Sequence, residues 1–449
     1  MKAKGSVTPR PFARLLIFAA LLLGLTTTHS QANELATSIQ KDYDNHLGTL
    51  FDHFHRNPEL SMMEFKTAKR LANELAAAGF EVTEGVGGTG IVAIMKNGPG
   101  PLVMMRADMD GLPVQEKSGL ENASTARQKD WNGNEVFVMH ACGHDVHITS
   151  LVGTARQMAN SRDDWSGTLM LIGQPAEERV AGARAMMKDD LWLRFGQPDY
   201  ALAFHVSSAL PTGKLGVTVG SPYSGADTVD IIIHGVGAHG ASPHAGIDPI
   251  VLGSQIVLGL QTVVSRSLPP REPGVITVGA FHAGTKHNII SDRAHLQLTV
   301  RNDSHEARKL LIDGIKRVAV NMGRVAGLPE DKLPEVIVSE EWVPPTINDA
   351  ALTTELREMW GEALGTDVFY QGKRLGMGAE DFPFFTTEPY IPSTYFAVGG
   401  TPQAAFDAAE AGGPPVPSHH SPLFKIEPEA SVKLGVEATV LALQKLLRK

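Results

Sequence analysis

The chain carries a single cysteine among 449 residues. One thiol cannot close an internal disulfide, so no disulfide framework holds this fold together. An excess of positive charge is also missing. The formal net charge is −9, which excludes a general nucleic-acid binder that would need a basic surface. Internal repeats are absent. With 43% hydrophobic and 20% charged residues the composition is globular, which excludes a wholly disordered or fibrous chain. Long apolar runs are lacking except near the start, where Leu15 to Leu25 (LLIFAALLLGL) is too short to span a bilayer comfortably. What the chain does have is histidine, 17 in all, and that number beside one cysteine raises the question of metal.

The start reads as a secretory signal peptide. Lys2, Lys4, Arg10 and Arg14 make it basic, the apolar run follows, and Ser30-Gln31-Ala32 offers small residues at the −3 and −1 cleavage positions. The competing reading is an uncleaved anchor. Cleavage after residue 32 deletes four basic residues and no acidic one, leaving an exported, more acidic mature chain. The expectation is a periplasmic protein with no membrane attachment after cleavage. A lone exported thiol is then either reactive or held by something.

A chain of this length is expected to hold two or more domains. Glu34 to Phe54 and Glu64 to Ala78 read as helices, with Gly79 closing the second. Strands are expected at Gly90 to Met95, Pro101 to Met105, Gly167 to Ile172 and Tyr200 to Val206, with a helix from His147 to Met158 between them. That alternation is the α/β pattern. Near Ser221 the texture changes. Strands at Thr228 to His234, Gly274 to Phe281, Ala294 to Arg301 and Glu335 to Ser339 interleave with helices at Asp248 to Ser267 and Ser304 to Val325. The order β-α-β-β-α-β is a ferredoxin-like α+β unit. The expected organisation is a catalytic α/β domain split between 33–221 and 340–449, with 222–339 inserted. A closing amphipathic helix spans Ala430 to Leu447.

Metal-type side chains concentrate in four places. His140 to His147 (HACGHDVH) packs three histidines, a thiol and a carboxylate into eight residues, and a loop could aim Cys142 and His144 at one ion. Glu177 and Glu178 follow the strand ending at Ile172, where α/β sheets build their sites. His205 closes the strand Ala201 to His205, and His419-His420 lies near the C-terminus. Zinc accepts Cys, His and carboxylate together, and the same set suits Mn, Co or Ni. Coordination would deprotonate the thiol and protect it. Each motif alone has an ordinary reading: Cys142 as a core thiol, His205 as a core histidine, Glu177-Glu178 as a solvated pair. Spacing alone leaves a metal hydrolase, a cysteine nucleophile and an exported metal- or amino-acid-binding protein open.

The motifs together resemble those of the M20 metallopeptidase family, in its amidohydrolase branch of hippurate, N-acyl-amino-acid and auxin-conjugate hydrolases. The resemblance covers nearly the whole mature chain. It rests on His55 to Leu60 (HRNPEL), Arg106 to Pro113 (RADMDGLP), His140 to His147, Gln174 to Glu178 (QPAEE), Gly237 to His244 (GAHGASPH), Asn288-Ile289-Ile290, Gly378 to Phe382 (GAEDF) and His420-Ser421-Pro422. Departures are modest. Gly111 stands where Ala is usual, Arg179-Val180-Ala181 where relatives carry glycines, and Ser291 where a proline is usual.

The resemblance implies a zinc-peptidase-like catalytic domain and a ferredoxin-like domain that dimerises. It implies two divalent ions per subunit held by Cys142, His144, Glu178, His205 and His420, with Asp108 and Asp110 orienting those ligands from behind. Glu177 would be the general base. His239, Asn288 and Arg301 would contact substrate, His239 across a homodimer. The implied activity is hydrolysis of N-acyl amino acids or small peptides, with a dipeptide-cleaving carboxypeptidase as the alternative.

Overall fold

A computed structural model describes residues 33–374 and 376–449; the expected signal peptide, 1–32, lies outside the described residues. Strand β1 (Glu81–Val86) turns back on β2 (Gly90–Asn97), and β3 (Leu102–Asp108) follows. A small hairpin of β4 (Arg127–Lys129) and β5 (Glu135–Phe137) precedes β6 (Gly167–Gln174), β7 (Tyr200–Pro211) and β8 (Leu215–Gly216). After β9 (Gly220–Tyr223) come β10 (Gly225–His234), β11 (Ala238–His239), β12 (Gly274–Ala283), β13 (Ile289–Ile290), β14 (Arg293–Asn302) and β15 (Glu335–Val343). β16 (Thr346–Asn348) and β17 (Ser393–Thr401) complete the strands.

Seven strands form a mixed sheet in the order β1-β2-β6-β3-β7-β17-β8. β6, β3, β7 and β17 run parallel to one another, while β1, β2 and β8 are antiparallel to their neighbours. Strands covered on both faces read as nearly continuous apolar runs, as in Gly90–Asn97 (GIVAIMKN) and Gly167–Gln174 (GTLMLIGQ). The period of two sorts each strand between two cores. Ile91, Ala93, Met95, Val103, Met105 and Ala107 pack with the helices Gly48–Arg56, Phe65–Ala77, His144–Asn160, Ala350–Leu364 and Pro428–Leu446. Val92 and Met104 pack on the other face, against Ala183, Met186, Leu191, Phe382 and Phe385. Arg106 and Asp108 alternate with Met104 and therefore share its face.

A second, antiparallel sheet has the order β12-β14-β10-β15. Helices Pro249–Thr262 and His305–Val325 pack against it and share a separate hydrophobic cluster that includes Ile231, Leu296, Leu252 and Leu311. Asp248 and Ser304 cap these helices, accepting from the amides of Ile250 and Ala307. The chain passes between the two sheets twice, and the passing segments pair as β9 and β16.

Three features run beyond their expected bounds. β3 continues to Asp108 and β6 to Gln174, because each keeps the other as a parallel partner to its end. β7 continues to Pro211 because β17 pairs with it past the point where β3 stops.

Candidate metal centre

β3, β6 and β7 run parallel, so their carboxyl ends open on one edge of the sheet, where such folds place their sites. Asp108 ends β3 and Gln174 ends β6, three residues before Glu177. His205 differs from expectation. It lies inside β7, two residues past Arg106↔Ala203, the last β3–β7 pair, and so level with Asp108 at the end of β3. Cys142 and His144 also differ from the single loop expected. Cys142 is in the loop, whereas His144 is the first residue of the helix His144–Asn160. Gly143 makes that turn with φ of 85°, and a Cβ there would sit 2.4 Å from Val206 Cγ1.

The expected ligands converge. Cys142, His144 and His205 offer ligand atoms that all lie within 4.8 Å of one another, and so do Cys142, Glu178 and His420. His144, Glu177 and Glu178 form a further such group. The Cys142 Sγ is 3.5 Å from His205 Nε2, and His420 Nε2 is 3.3 Å from Glu178 Oε2. The His144 Nε2 stands 3.9 Å from Glu177 Oε2 and 4.0 Å from Glu178 Oε1.

Hydrogen bonds decide which histidines are free to ligate. His205 Nδ1 faces the Val206 carbonyl at 2.6 Å, so it carries the proton and leaves Nε2 open toward the thiol. Both nitrogens of His147 are used: Nδ1 donates to Asp108 at 2.5 Å and Nε2 accepts the Val206 amide at 2.9 Å. It groups geometrically with Asp108 and His144, but it has no lone pair left for an ion. His419 is similar. Its Nε2 accepts the Ser208 amide at 3.1 Å, so Nδ1 carries a proton toward Cys142 Sγ at 3.6 Å. His419 thus supports the sulfur while its neighbour His420 reaches Glu178. His140 is buried with no partner on either ring nitrogen and stands apart from these groups.

The field of the site favours a cation. Burial, Glu178 and Glu177 push the Cys142 thiol well above its usual value. A nucleophilic cysteine needs the opposite shift. Burial pulls His144 down, but Asp108, Asp110 and Glu178 outweigh it and raise it to about 10. Burial and the carboxylates of Glu380, Glu178 and Asp381 push Glu177 well above the carboxylate range. Both nitrogens of His144 and Glu178 Oε1 are buried without a hydrogen-bond partner. Such groups are costly to leave unpaired, and a thiol, imidazoles and carboxylates are the donor set that a borderline-soft divalent ion takes. The residues therefore fit a metal.

Asp108 and Asp110 sit behind these groups. Asp110 Oδ1 is 3.3 Å from His144 Nδ1, and its two oxygens accept the amides of Glu177 at 3.1 Å and Glu178 at 3.0 Å. Burial raises Asp108, but Arg106, His144 and His147 hold it well below its usual value. In the sequence Arg106, Glu380 and Asp381 stand only as members of the RADMDGLP and GAEDF motifs. In the fold the fully buried Arg106 guanidinium contacts Asp108 Oδ2 at 2.6 Å, Glu380 Oε1 at 2.7 Å and Asp381 Oδ1 at 3.4 Å. The available signal was an arginine inside the apolar run Val103 to Ala107.

The three expected substrate residues lie on the four-stranded unit. His239 and Asn288 meet through the β11–β13 pair, with the Gly240 amide donating to the Asn288 carbonyl at 2.8 Å. Arg301 sits opposite Ala226, three residues along the chain from Tyr223, whose ring lies 6.2 Å from that of His205. β10 separates the two positions: Arg301 is at its Gly225 end and His239 beyond its His234 end. Ten residues of strand span about 30 Å. His239 joins none of the metal-type groups found among the described residues.

A model of Peptidase family M20/M25/M40 matches residues 104–411. "Thermostable carboxypeptidase 2" of Saccharolobus solfataricus is 36% identical over 349 residues, 77% of this chain and 83% of that protein. The hippurate hydrolase of Campylobacter jejuni subsp. jejuni is 35% identical over 332 residues, 74% of this chain and 82% of that protein. A Bacillus subtilis crystal structure, described as a dinuclear metal-binding peptidase from the M20 family, aligns with a TM-score of 0.74 at 28% identity. It covers 91% of this chain and 99% of that one.

Two stability predictions follow from these contacts. Arg106→Leu strands three buried carboxylates and is expected to cost about 3–5 kcal/mol in denaturant unfolding; a loss under about 1 kcal/mol means the acids are neutral without it. His55 is held between Asp145, at 2.7 Å, and Glu116, at 3.3 Å. Burial pulls it down from 6.5, but those two acids raise it to about 10. The folded state binds the extra proton, so this contribution is complete below pH 6.5 and fades as pH rises through about 10. His55→Gln should flatten the fall in stability across that window, and an unchanged slope excludes the charged clamp.

Proposed function

The chain belongs to peptidase family M20/M25/M40, and from that membership we propose that it is an amidohydrolase cleaving N-acyl amino acids, hippurate-like compounds above all, and from the basic start and apolar run before Ala32 that it is exported. That it is a hydrolase acting on amide or peptide bonds follows from the family and from its amidohydrolase relatives. The observation that carries the finer reading is the convergence of Cys142, His144, Glu178, His205 and His420 in overlapping groups, with Glu177 beside His144 and Glu178. In this reading those five hold two divalent ions, with Zn, Mn, Co and Ni all compatible with the donor set.

Ions held there supply Lewis acidity that polarises the scissile carbonyl and acidifies an attacking water. Glu177 is the base. Its carboxylate lies beside the ligand groups, takes the proton of the attacking water and returns it to the departing nitrogen. Asp110 holds both Glu177 and Glu178 by their amides, which fixes base and ligand relative to each other. Arg301 is the group for the substrate carboxylate. It is partly buried, and Asp227, the acid that acts on it, is already gripped by Arg308 through Nε and Nη2. The named carboxypeptidase relatives support the same chemistry on a small peptide with a free C-terminus.

His239 and Asn288, some 30 Å along the sheet from Arg301, serve a partner subunit's site in this reading. Support comes from the helix Pro249–Thr262, where Val251 is 55% and Leu258 71% exposed, and from β12, an edge strand of its sheet. Apolar surface beside an open edge is what a second copy covers.

Three experiments test this. Glu177→Ala is expected to keep bound metal while kcat on N-acyl amino acids falls by at least about 100-fold, measured beside metal content and with a chelated control. Near-normal turnover removes Glu177 as the base, and full activity after chelation removes the metal. Val251→Glu with Leu258→Glu is expected to convert a dimer to a monomer in equilibrium sedimentation and to abolish activity. Mixed Glu177→Ala and His239→Ala subunits should regain activity that neither has alone; if none returns, His239 does not act across the dimer.

A further inference from the structure

Glu177 sits on a short turn that two strained residues bracket. Ala176 has φ of 48° and Val180 of 55°, the left-handed region that residues with a Cβ avoid. Such conformations persist where surroundings over-determine them. Here three successive amides donate to two buried carboxylates from distant segments. The Ala176 amide donates to Glu64 Oε1 at 2.8 Å, and the Glu177 and Glu178 amides donate to Asp110. The far side of the turn closes on the Ala176 carbonyl, which accepts the amides of Ala181 and Gly182, each at 3.2 Å. Gly182 has no freedom to be another residue, since its Cβ would lie 1.5 Å from the Pro175 carbonyl oxygen.

Glu64 is placed oddly for a structural acid. It is fully buried and precedes the helix Phe65–Ala77, yet its side chain makes no capping bond to that helix. Glu59 does that work, accepting the amides of Lys66 and Thr67, each at 2.8 Å. The Glu64 carboxylate turns instead toward Ala176. Its Oε1 also accepts the Met62 amide at 2.9 Å, and Thr89 donates to Oε2 at 2.5 Å. Every bond it makes fixes where the carboxylate stands, and the one bond to the catalytic loop falls on the residue before the base.

We propose that Glu64 is a positioning residue for Glu177: it holds Ala176 in the left-handed conformation and so aims the base carboxylate at the ligand cluster. The inference rests on Glu177 being the base of an amidohydrolase. It concerns the backbone of the loop, so it can be read without turnover. Glu64→Asp keeps the charge but withdraws the acceptor by one methylene. It is expected to lower kcat about 10- to 100-fold, as a displacement near 1 Å does, with KM and bound metal little changed. Glu64→Gln is expected to stay within several-fold of wild type, because Oε1 still accepts both amides and Nε2 can donate to the Thr89 hydroxyl. Adding Ala176→Gly to Glu64→Asp is expected to recover part of the loss, since glycine adopts the left-handed region freely.

Amide hydrogen exchange over residues 175–182 is the independent arm. Glu64→Asp should speed exchange at Ala176 whether or not the right substrate has been found. Unchanged protection, or unchanged kcat in a folded Glu64→Asp, overturns the proposal. So does a Glu64→Gln loss as large as that of Glu64→Asp, because it makes charge rather than the hydrogen bond decisive. If Glu64→Asp does not fold, Thr89→Val removes only the hydroxyl that fixes the second oxygen and must show the same fall in kcat at constant KM. Absence of all hydrolysis in wild type would instead count against the amidohydrolase reading and leave the exchange result standing.

Discussion

The Arg106 guanidinium is the contact on which the rest of the site depends. It is a fully buried cation beneath a set of buried acids, and it reaches Asp108, Glu380 and Asp381 from a central strand of the sheet. Tyr395 joins the set, donating to Glu380 Oε2 at 2.7 Å. Taking charges out of water costs several kcal/mol per ion, and only close, multiply bonded partners offset it. Arginine suits this because its fork can serve several carboxylates from one rigid plane. With that charge in place, Asp108 stays ionised and can orient His147, which in turn holds the Val206 amide beside His205. A chain of directed bonds thus runs from a strand interior to a metal-type ligand.

Compensation is incomplete nearer the surface of the cluster. Around Cys142, His144, Glu177 and Glu178 acids crowd together with burial, and the thiol, Glu177 and His144 are all pushed up. Beneath the cluster an arginine supplies the positive charge, and within it a bound ion is the natural counter-charge. The two layers divide the electrostatics: one is permanent and structural, the other is left for ligand.

Much of this was legible in the sequence. Alternation of apolar strands and helices is a local property, so the strands from Gly90 and Gly167 and the helices from Glu64 and Ser304 were readable from periodicity. The residues that cluster at the site were legible because a thiol, imidazoles and carboxylates crowd into short motifs. What stayed hidden depended on pairing across the chain. The length of β7 is set by β17, nearly 200 residues later, so His205 read as a strand end. Glu64 looked like the first residue of a helix, and nothing local tells that its acceptor role points to Ala176. His419 and His420 are equivalent as letters, and only the Ser208 amide and Glu178 separate them.

The same reasoning explains how adjacent glutamates can take different roles. Glu177 to Arg179 form a 3₁₀ turn, in which successive side chains lie about 120° apart. Both carboxylates group with His144, but Glu178 also groups with Cys142 and His420, whereas Glu177 groups with Glu380 and Asp381. Glu177 therefore stands against acids that raise its proton affinity, as the base role proposed for it needs. A regular helix continuing from β6 would have set the pair about 100° apart without the left-handed residues on either side. The strained turn instead lets Asp110 grip both amides at once. The different surroundings of the two carboxylates are therefore built into the backbone before either side chain has chosen a rotamer.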